Sequence, residues 1–338
     1  MGAGIAQVVL EAGDTVSLYD PDPAAVDRAR ERIADGLARR ARKLDGGDGW
    51  VTDQLARLAA APSLEAAAGT ADIVIEAAAE DLEAKRGLFR ALDAAARPDA
   101  ILATNTSALR VAHIAAAVTH AERVLGLHWF NPAPVMTLVE VVATDRSDPV
   151  VIDRAESIVR AWGKTPVRSA DTPGFIVNRV NRPFTIEALR LLEAGAADVE
   201  TIDESMRAAG FPMGPFELMD LAGLDVNLAA AQGVWEGLGR PEHLRPSPIQ
   251  EQLVAAGHLG RKTGEGFYRY EADGARHPAD PFATAVTEGS VDPALIAARI
   301  TGAIDAEAER AAADGVASRD DIDLALRLGA GHPLRSTA

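Results

Sequence analysis

Asp72-Ile73-Val74-Ile75-Glu76-Ala77, then a helix-forming stretch over 82–96, then Ala100-Ile101-Leu102-Ala103-Thr104, decide the architecture of this chain. Short apolar runs without polar alternation are the kind buried on both faces of a parallel sheet, and a helical stretch between two of them makes a βαβ crossover. Toward the N-terminus, Thr15-Val16-Ser17-Leu18-Tyr19 is a β-rich run closed by Asp20. Residues 23–44 have helix-forming composition, with Pro23 suited to a first turn. Beyond Phe175 the strand signals fade, and Ala, Leu, Glu and Arg over 182–193 and 199–209 predict helices. The fold expected is an α/β Rossmann-type domain followed by an all-α C-terminal domain.

Composition sets bounds on what such a chain can do. Its 338 residues, 48% of them hydrophobic, suffice for two or three domains with cores. The formal net charge of -16 argues against nonspecific nucleic-acid binding, which needs a positive field over phosphates. Anionic ligands must therefore meet local basic groups. Zero cysteines exclude disulfides and thiolate chemistry. No stretch is long and apolar enough to span a membrane, and Met1-Gly2-Ala3-Gly4-Ile5-Ala6-Gln7 lacks the basic start of a signal peptide, so a cytoplasmic location is expected. The scattered histidines His113, His120, His243, His258, His277 and His332 show no metal-ligand spacing, and no metal is expected.

Two features carry chemistry. Gly126-Leu127-His128-Trp129-Phe130-Asn131-Pro132-Ala133-Pro134-Val135-Met136 runs into Leu138-Val139-Glu140-Val141, so turn-formers interrupt two apolar runs that hold a histidine and a carboxylate. Histidine exchanges protons near neutral pH, and a buried glutamate beside one can orient it for proton abstraction. Asp20, at the end of a second Rossmann strand, would accept hydrogen bonds from an adenosine ribose and repel the extra phosphate of NADP, which favours NAD. The plain alternative for Asp20, next to Pro21, is a turn residue.

The stretch GLHWFNPAPVMTLVEV resembles the signature of the L-3-hydroxyacyl-CoA dehydrogenases. So, in order, do Asp171-Thr172-Pro173-Gly174-Phe175-Ile176-Val177-Asn178-Arg179, Pro212-Met213-Gly214-Pro215-Phe216-Glu217-Leu218 and Arg261-Lys262-Thr263-Gly264-Glu265-Gly266-Phe267-Tyr268. The resemblance covers residues 1 to about 270 and implies NAD-dependent, reversible oxidation of (3S)-3-hydroxyacyl-CoA, with short chains such as 3-hydroxybutyryl-CoA. It implies His128 as the acid/base, Glu140 as the group that holds it, and Ser107 and Asn178 as hydrogen-bond donors to the substrate. Gly2, Asp20, Glu80, Lys85, Asn105, Ser107, Asn131 and Lys262 would lie around the cofactor, Lys43 would meet a coenzyme A phosphate, and two copies would pair through the helical domain. Plainer readings stand beside these. Ser107 suits a helix N-cap, Asn178 a buried structural amide, and Asp81 with Lys85 an i,i+4 surface pair. Lys262 suits a solvated turn, and the cationic run Arg39-Arg40-Ala41-Arg42-Lys43 a solvated helix face. Two further functions are open: a related hydroxy-acid dehydrogenase that does not use coenzyme A, and a non-catalytic fragment or pseudoenzyme.

The beginning and end depart from the family pattern. Met1-Gly2 coincides with the last positions of a G-x-G-x-x-G fingerprint, so the first Rossmann strand and two glycines are missing. Removing about five buried aliphatic residues from a central strand costs on the order of 10 kcal/mol, which rivals the whole stability of a domain. Met1 is accordingly expected to be an internal methionine of a longer natural protein, or the chain a poorly folding fragment. Near the other end, Gly315-Val316-Ala317-Ser318-Arg319-Asp320-Asp321-Ile322-Asp323 repeats the pattern of Gly195-Ala196-Ala197-Asp198-Val199-Glu200-Thr201-Ile202-Asp203. The division expected is a NAD-binding domain over 1–170, a helical substrate and dimerisation domain over 171–270, a linker over 271–293 and a partial second helical module over 294–338.

Overall fold

The computed structural model describes residues 1–44, 47–280, 282 and 291–333. They form two compact units, Met1–Thr172 and Pro173–Ala338. The first contains α1 (Gly2–Glu11), β1 (Val16–Leu18), α2 (Pro23–Lys43), α3 (Asp48–Leu55), β2 (Leu58–Ala60), α4 (Leu64–Ala68), β3 (Ile73–Glu76), α5 (Leu82–Ala95), β4 (Ile101–Thr104), α6 (Val111–Ala115), β5 (Val124–Trp129), β6 (Leu138–Ala143), α7 (Pro149–Ala161) and β7 (Thr165–Ala170). Helix starts follow local chemistry. Asp22 and Asp148 each accept an N–H of the first turn ahead of a proline, and Asp81 accepts that of Ala84.

Five strands form one sheet in the order β3-β4-β5-β6-β7. The βαβ expected from the two apolar runs is β3-α5-β4, paired in parallel, and β5 continues it. The turn through 130–137 then reverses the chain, so β6 lies antiparallel to β5 and β7 parallel to β6. The sheet is therefore mixed. Strands β1 and β2 pair separately, and the break between β1 and β3 falls where the order 3-2-1-4-5-6 places its first strand. Val16 of β1 and Ile73 and Ile75 of β3 nonetheless pack on one cluster with Ile5 and Val8 of α1.

Alternation along β5 and β6 sorts the two faces of the sheet. Leu127, Trp129, Val139 and Val141 enter the core beneath α1 and α7. Gly126, His128, Glu140 and Val142 face the other way. A Cβ on Gly126 would stand 2.9 Å from the Val142 Cβ and 3.0 Å from Val111, so the lack of a side chain there lets α6 close over β5.

The second unit contains α8 (Val177–Val180), α9 (Arg182–Glu193), α10 (Val199–Ala208), α11 (Pro215–Ala222), α12 (Leu224–Gly237), α13 (Pro248–Ala255), β8 (Tyr268–Tyr270), β9 (Arg276–Pro278), α14 (Pro293–Ala313) and α15 (Arg319–Ala330). Its aspartates tie the motifs together. Asp203 of α10 accepts the N–H groups of Phe216 and Glu217 at 2.9 and 3.1 Å, which fixes Pro212-Met213-Gly214-Pro215 as the turn into α11. Asp220 of α11 accepts those of Phe267 and Tyr268 at 3.0 and 2.9 Å, which folds the glycine-rich Arg261–Tyr268 motif back onto α11. The stretch expected as a linker, 271–293, is ordered at its start, where β9 pairs with β8. Its residues 281 and 283–290, and the last five residues of the expected second helical module, 334–338, lie outside the described residues.

Candidate active site

His128 on β5 and Glu140 on β6 are register partners in the antiparallel pair, so their side chains leave the same face at the closest cross-strand spacing. His128 Nδ1 lies 2.5 Å from Glu140 Oε2. The two side chains are 7% and 0% exposed, and the Phe130 ring covers the imidazole at 4.6 Å. A carboxylate at Nδ1 fixes ring orientation and tautomer, which makes Nε2 the atom to exchange a proton with a substrate. The connecting turn is braced by Lys164, whose Nζ donates to the carbonyls of Ala133 and Met136, both at 2.7 Å. Burial holds that lysine below its usual pKa. Nothing in the sequence around Lys164 marked it.

A second cluster gathers at the C-terminal ends of β3 and β4. Lys85 enters from α5, 1% exposed, and gives its ammonium to Glu76 Oε1 and Oε2 at 2.7 and 2.8 Å. Glu76 also accepts the Thr104 hydroxyl at 2.7 Å and the Ala78 N–H at 2.6 Å. Glu80 Oε2 lies 3.4 Å from the same ammonium. Through its other oxygen Glu80 accepts the hydroxyl of Thr106 and the N–H groups of Ser107 and Ala108, both at 3.0 Å. Burial pushes the Glu80 carboxyl up, but Thr106, the Ala108 N–H, Lys85 and the Ser107 N–H outweigh it and hold its pKa below the usual glutamate range.

This cluster corrects two plain readings. Asp81 and Lys85 are no surface pair: Asp81 caps α5 while Lys85 points into the unit. Nor is Ser107 an N-cap, because α6 begins at Val111, whose N–H goes to Asp171 at 2.9 Å. Sequence reasoning missed Glu76 and Thr104. The signal was there: a lone carboxylate in an apolar run must find a cation once buried.

Among the other expected residues, Asn105 joins this edge by accepting the Trp129 N–H at 2.9 Å, one residue beyond His128. Asn131 is exposed and begins a cis peptide to Pro132. Gly2 opens α1, with Ala77 3.8 Å from the place of its missing Cβ. Asp20 is exposed beyond β1 and its Oδ1 accepts the Asp22 N–H at 2.9 Å. A helix start at the strand ends and an exposed carboxylate past β1 fit the phosphate and ribose ends of a dinucleotide. Lys43 is exposed at the end of α2. The second unit holds two more: half-buried Asn178 on α8, and Lys262, which pairs with Asp225 at 2.5 and 2.7 Å.

No helix of the described residues is long and apolar enough to cross a membrane. Residues 1–172 match the family model of the 3-hydroxyacyl-CoA dehydrogenase NAD binding domain, and residues 174–270 match that of the 3-hydroxyacyl-CoA dehydrogenase C-terminal domain. The mitochondrial hydroxyacyl-coenzyme A dehydrogenase of Homo sapiens is 42% identical over 278 residues, covering 80% of this chain and 88% of the relative. A probable 3-hydroxybutyryl-CoA dehydrogenase of Bacillus subtilis is 41% identical over 273 residues, covering 80% and 94%. The crystal structure of 3-hydroxybutyryl-CoA dehydrogenase from Escherichia coli K12 superposes with a TM-score of 0.88 at 35% identity, covering 97% of this chain and 86% of that one. NAD as cofactor and dehydrogenase as class, both expected from the motifs, rest on these matches. With the two family models met in order across residues 1–172 and 174–270, the chain belongs to the 3-hydroxyacyl-CoA dehydrogenase family.

Proposed function

We propose that the chain oxidises (3S)-3-hydroxyacyl-CoA to 3-oxoacyl-CoA, reversibly, with short acyl chains such as 3-hydroxybutyryl among its substrates, as part of fatty-acid metabolism in the cytoplasm. The observation that carries this is the buried His128–Glu140 pair with its 2.5 Å contact. NAD, when bound, supplies the hydride acceptor. His128 Nε2 takes the proton of the C3 hydroxyl, and Glu140 stabilises the imidazolium formed. In the reverse direction the same nitrogen returns the proton. Ser107 sits on the loop organised by Glu80, and it would join Asn178 in hydrogen-bonding the reacting oxygen or the thioester carbonyl. The start of α1 at Gly2, with Asp20, Glu80, Lys85, Asn105, Asn131 and Lys262, would hold the cofactor, and Lys43 would meet a phosphate of coenzyme A. Two copies paired through the helical domain, as the resemblance implies, belong to the same reading.

Initial rates with 3-hydroxybutyryl-CoA and with free 3-hydroxybutyrate test the substrate class. Turnover of the thioester alone is expected, and equal rates, unmoved by Lys43→Ala, would assign the site to free hydroxy acids. Asp20→Ala tests the ribose contact. Losing a hydrogen bond to a charged group removes about 1.5–3 kcal/mol, so calorimetry should show NAD binding weakened by roughly tenfold or more and the preference over NADP reduced. An unchanged ratio of the two affinities would remove Asp20 from the cofactor site.

A further inference from the structure

Arg182 opens α9 and is only 8% exposed, and a cation buried to that degree calls for a counter-charge. Among the described residues the other buried arginines each have one. Arg123 meets Asp93 at 2.8 Å, and Arg179 meets Glu307 and Asp314 at 2.8 and 2.5 Å. Arg182 meets no carboxylate among the described residues. Its acceptors are two backbone carbonyls, that of Asn178 at 2.9 Å from Nε and that of Asn227 at 3.4 Å from Nη1. Burial pulls the guanidinium down to about 10, with no neighbouring anion to raise it again. It remains charged at neutral pH.

The third nitrogen, Nη2, has no acceptor among the described residues and is not sealed from solvent. The Nη1–Nη2 edge thus carries one long contact where a carboxylate would accept two short, charge-assisted bonds. The neighbours are neutral. Gln250 donates to Asn227 Oδ1 at 3.0 Å and to the Leu224 carbonyl at 3.2 Å, and Ile186, one turn along α9 from Arg182, packs with Val234 of α12. The acid nearest along α12, Asp225, is already held by Lys262. A ligand is left to bring the anion. Arg182 stands four residues from Asn178, about 6 Å of helix rise, and folds back onto its carbonyl. The phosphates of coenzyme A lie at the far end of the pantetheine arm from the thioester, so an anion this close to Asn178 belongs on the acyl chain.

We propose that Arg182 recognises a carboxylate at the far end of the acyl chain, so that the favoured substrates are 3-hydroxyacyl-CoA thioesters of dicarboxylic acids. The inference rests on the reading that Asn178 hydrogen-bonds the reacting end of a 3-hydroxyacyl thioester. Chains ending in a methyl group leave the guanidinium without its partner, and they are substrates of lower specificity.

The test compares 3-hydroxyhexanoyl-CoA with its analogue that carries a carboxylate in place of the terminal methyl group. In the parent, kcat/KM should favour the carboxylate-ended thioester by roughly tenfold to a hundredfold, the range a hydrogen bond to a charged group supplies. Arg182→Met should bring the two level, chiefly by raising KM for the carboxylate-ended one. Arg182→Lys, which keeps the charge without the fork, should retain part of the preference. The ratio of the two substrates cancels any general disturbance passed on through Asn178. Oxidation of 3-hydroxyhexanoyl-CoA with no preference for the carboxylate overturns this inference alone, whereas turnover of neither thioester overturns the dehydrogenase reading with it. A preference that survives Arg182→Met also overturns it, and weaker binding of free coenzyme A by that variant, with the ratio kept, would assign Arg182 to a phosphate. Should neither variant fold, hydrogen exchange on the unaltered chain without NAD decides. Greater amide protection over 178–186 with the carboxylate-ended thioester supports the proposal, and equal protection with both overturns it.

Discussion

Replacing His128 with glutamine should lower turnover by roughly two to four powers of ten, the range that general acid–base catalysis supplies. Glutamine keeps a polar side chain opposite Glu140 on β6 but has no nitrogen that exchanges a proton at neutral pH. The strand pair and the surrounding packing are retained, since Leu127 and Trp129 belong to the core on the other face. NAD affinity measured by calorimetry should therefore hardly change. Glu140→Gln should cost less than His128→Gln, because the carboxylate acts through the ring it holds. The order matters: if Glu140→Gln were the worse of the two and His128→Gln kept wild-type turnover, the proton would travel by another route.

Much of this site was legible because its residues interrupt patterns that the fold needs. His128 and Glu140 are polar residues inside apolar strands, and Asn131, Pro132 and Pro134 between them announce a turn. The βαβ unit was legible because β3 and β4 are apolar runs bounded by polar residues. Strand β2 was not: Leu58-Ala59-Ala60 has little β-propensity and exists by pairing with β1. Lys85 was open to misreading because i,i+4 spacing is blind to burial, and only the tertiary fold shows which face of α5 turns inward. The repeat in the helical unit was half legible. The repeat around Asp203 and Asp323 could be read from the chain, but Arg179, Glu187, Arg299 and Glu307 acquire meaning only once the helices cross.

Glu76→Leu should destabilise the first unit by about 3–5 kcal/mol, the usual cost of leaving one partner of a buried ion pair without the other. Lys85 is 1% exposed and both oxygens of Glu76 hold its ammonium, so once that carboxylate is gone the charge keeps only the more distant Glu80 Oε2 at 3.4 Å as an anionic neighbour and has no solvent to relieve it. Against a whole-domain stability of about 5–15 kcal/mol, urea unfolding should show the loss clearly. The double variant Glu76→Leu/Lys85→Met removes both charges and should recover most of it, since well-packed apolar replacements of a buried pair are close to neutral. Stability and function then separate. In the double variant Glu80 has lost the cation 3.4 Å away, and Glu80 is what orders Thr106, Ser107 and Ala108. NAD affinity should therefore stay depressed in a protein that melts near the parent. A double variant that binds like the parent would mean that the pair serves folding alone, whereas one that remains as unstable as Glu76→Leu would mean that the cost comes from packing at the ends of β3 and β4 and not from the stranded charge.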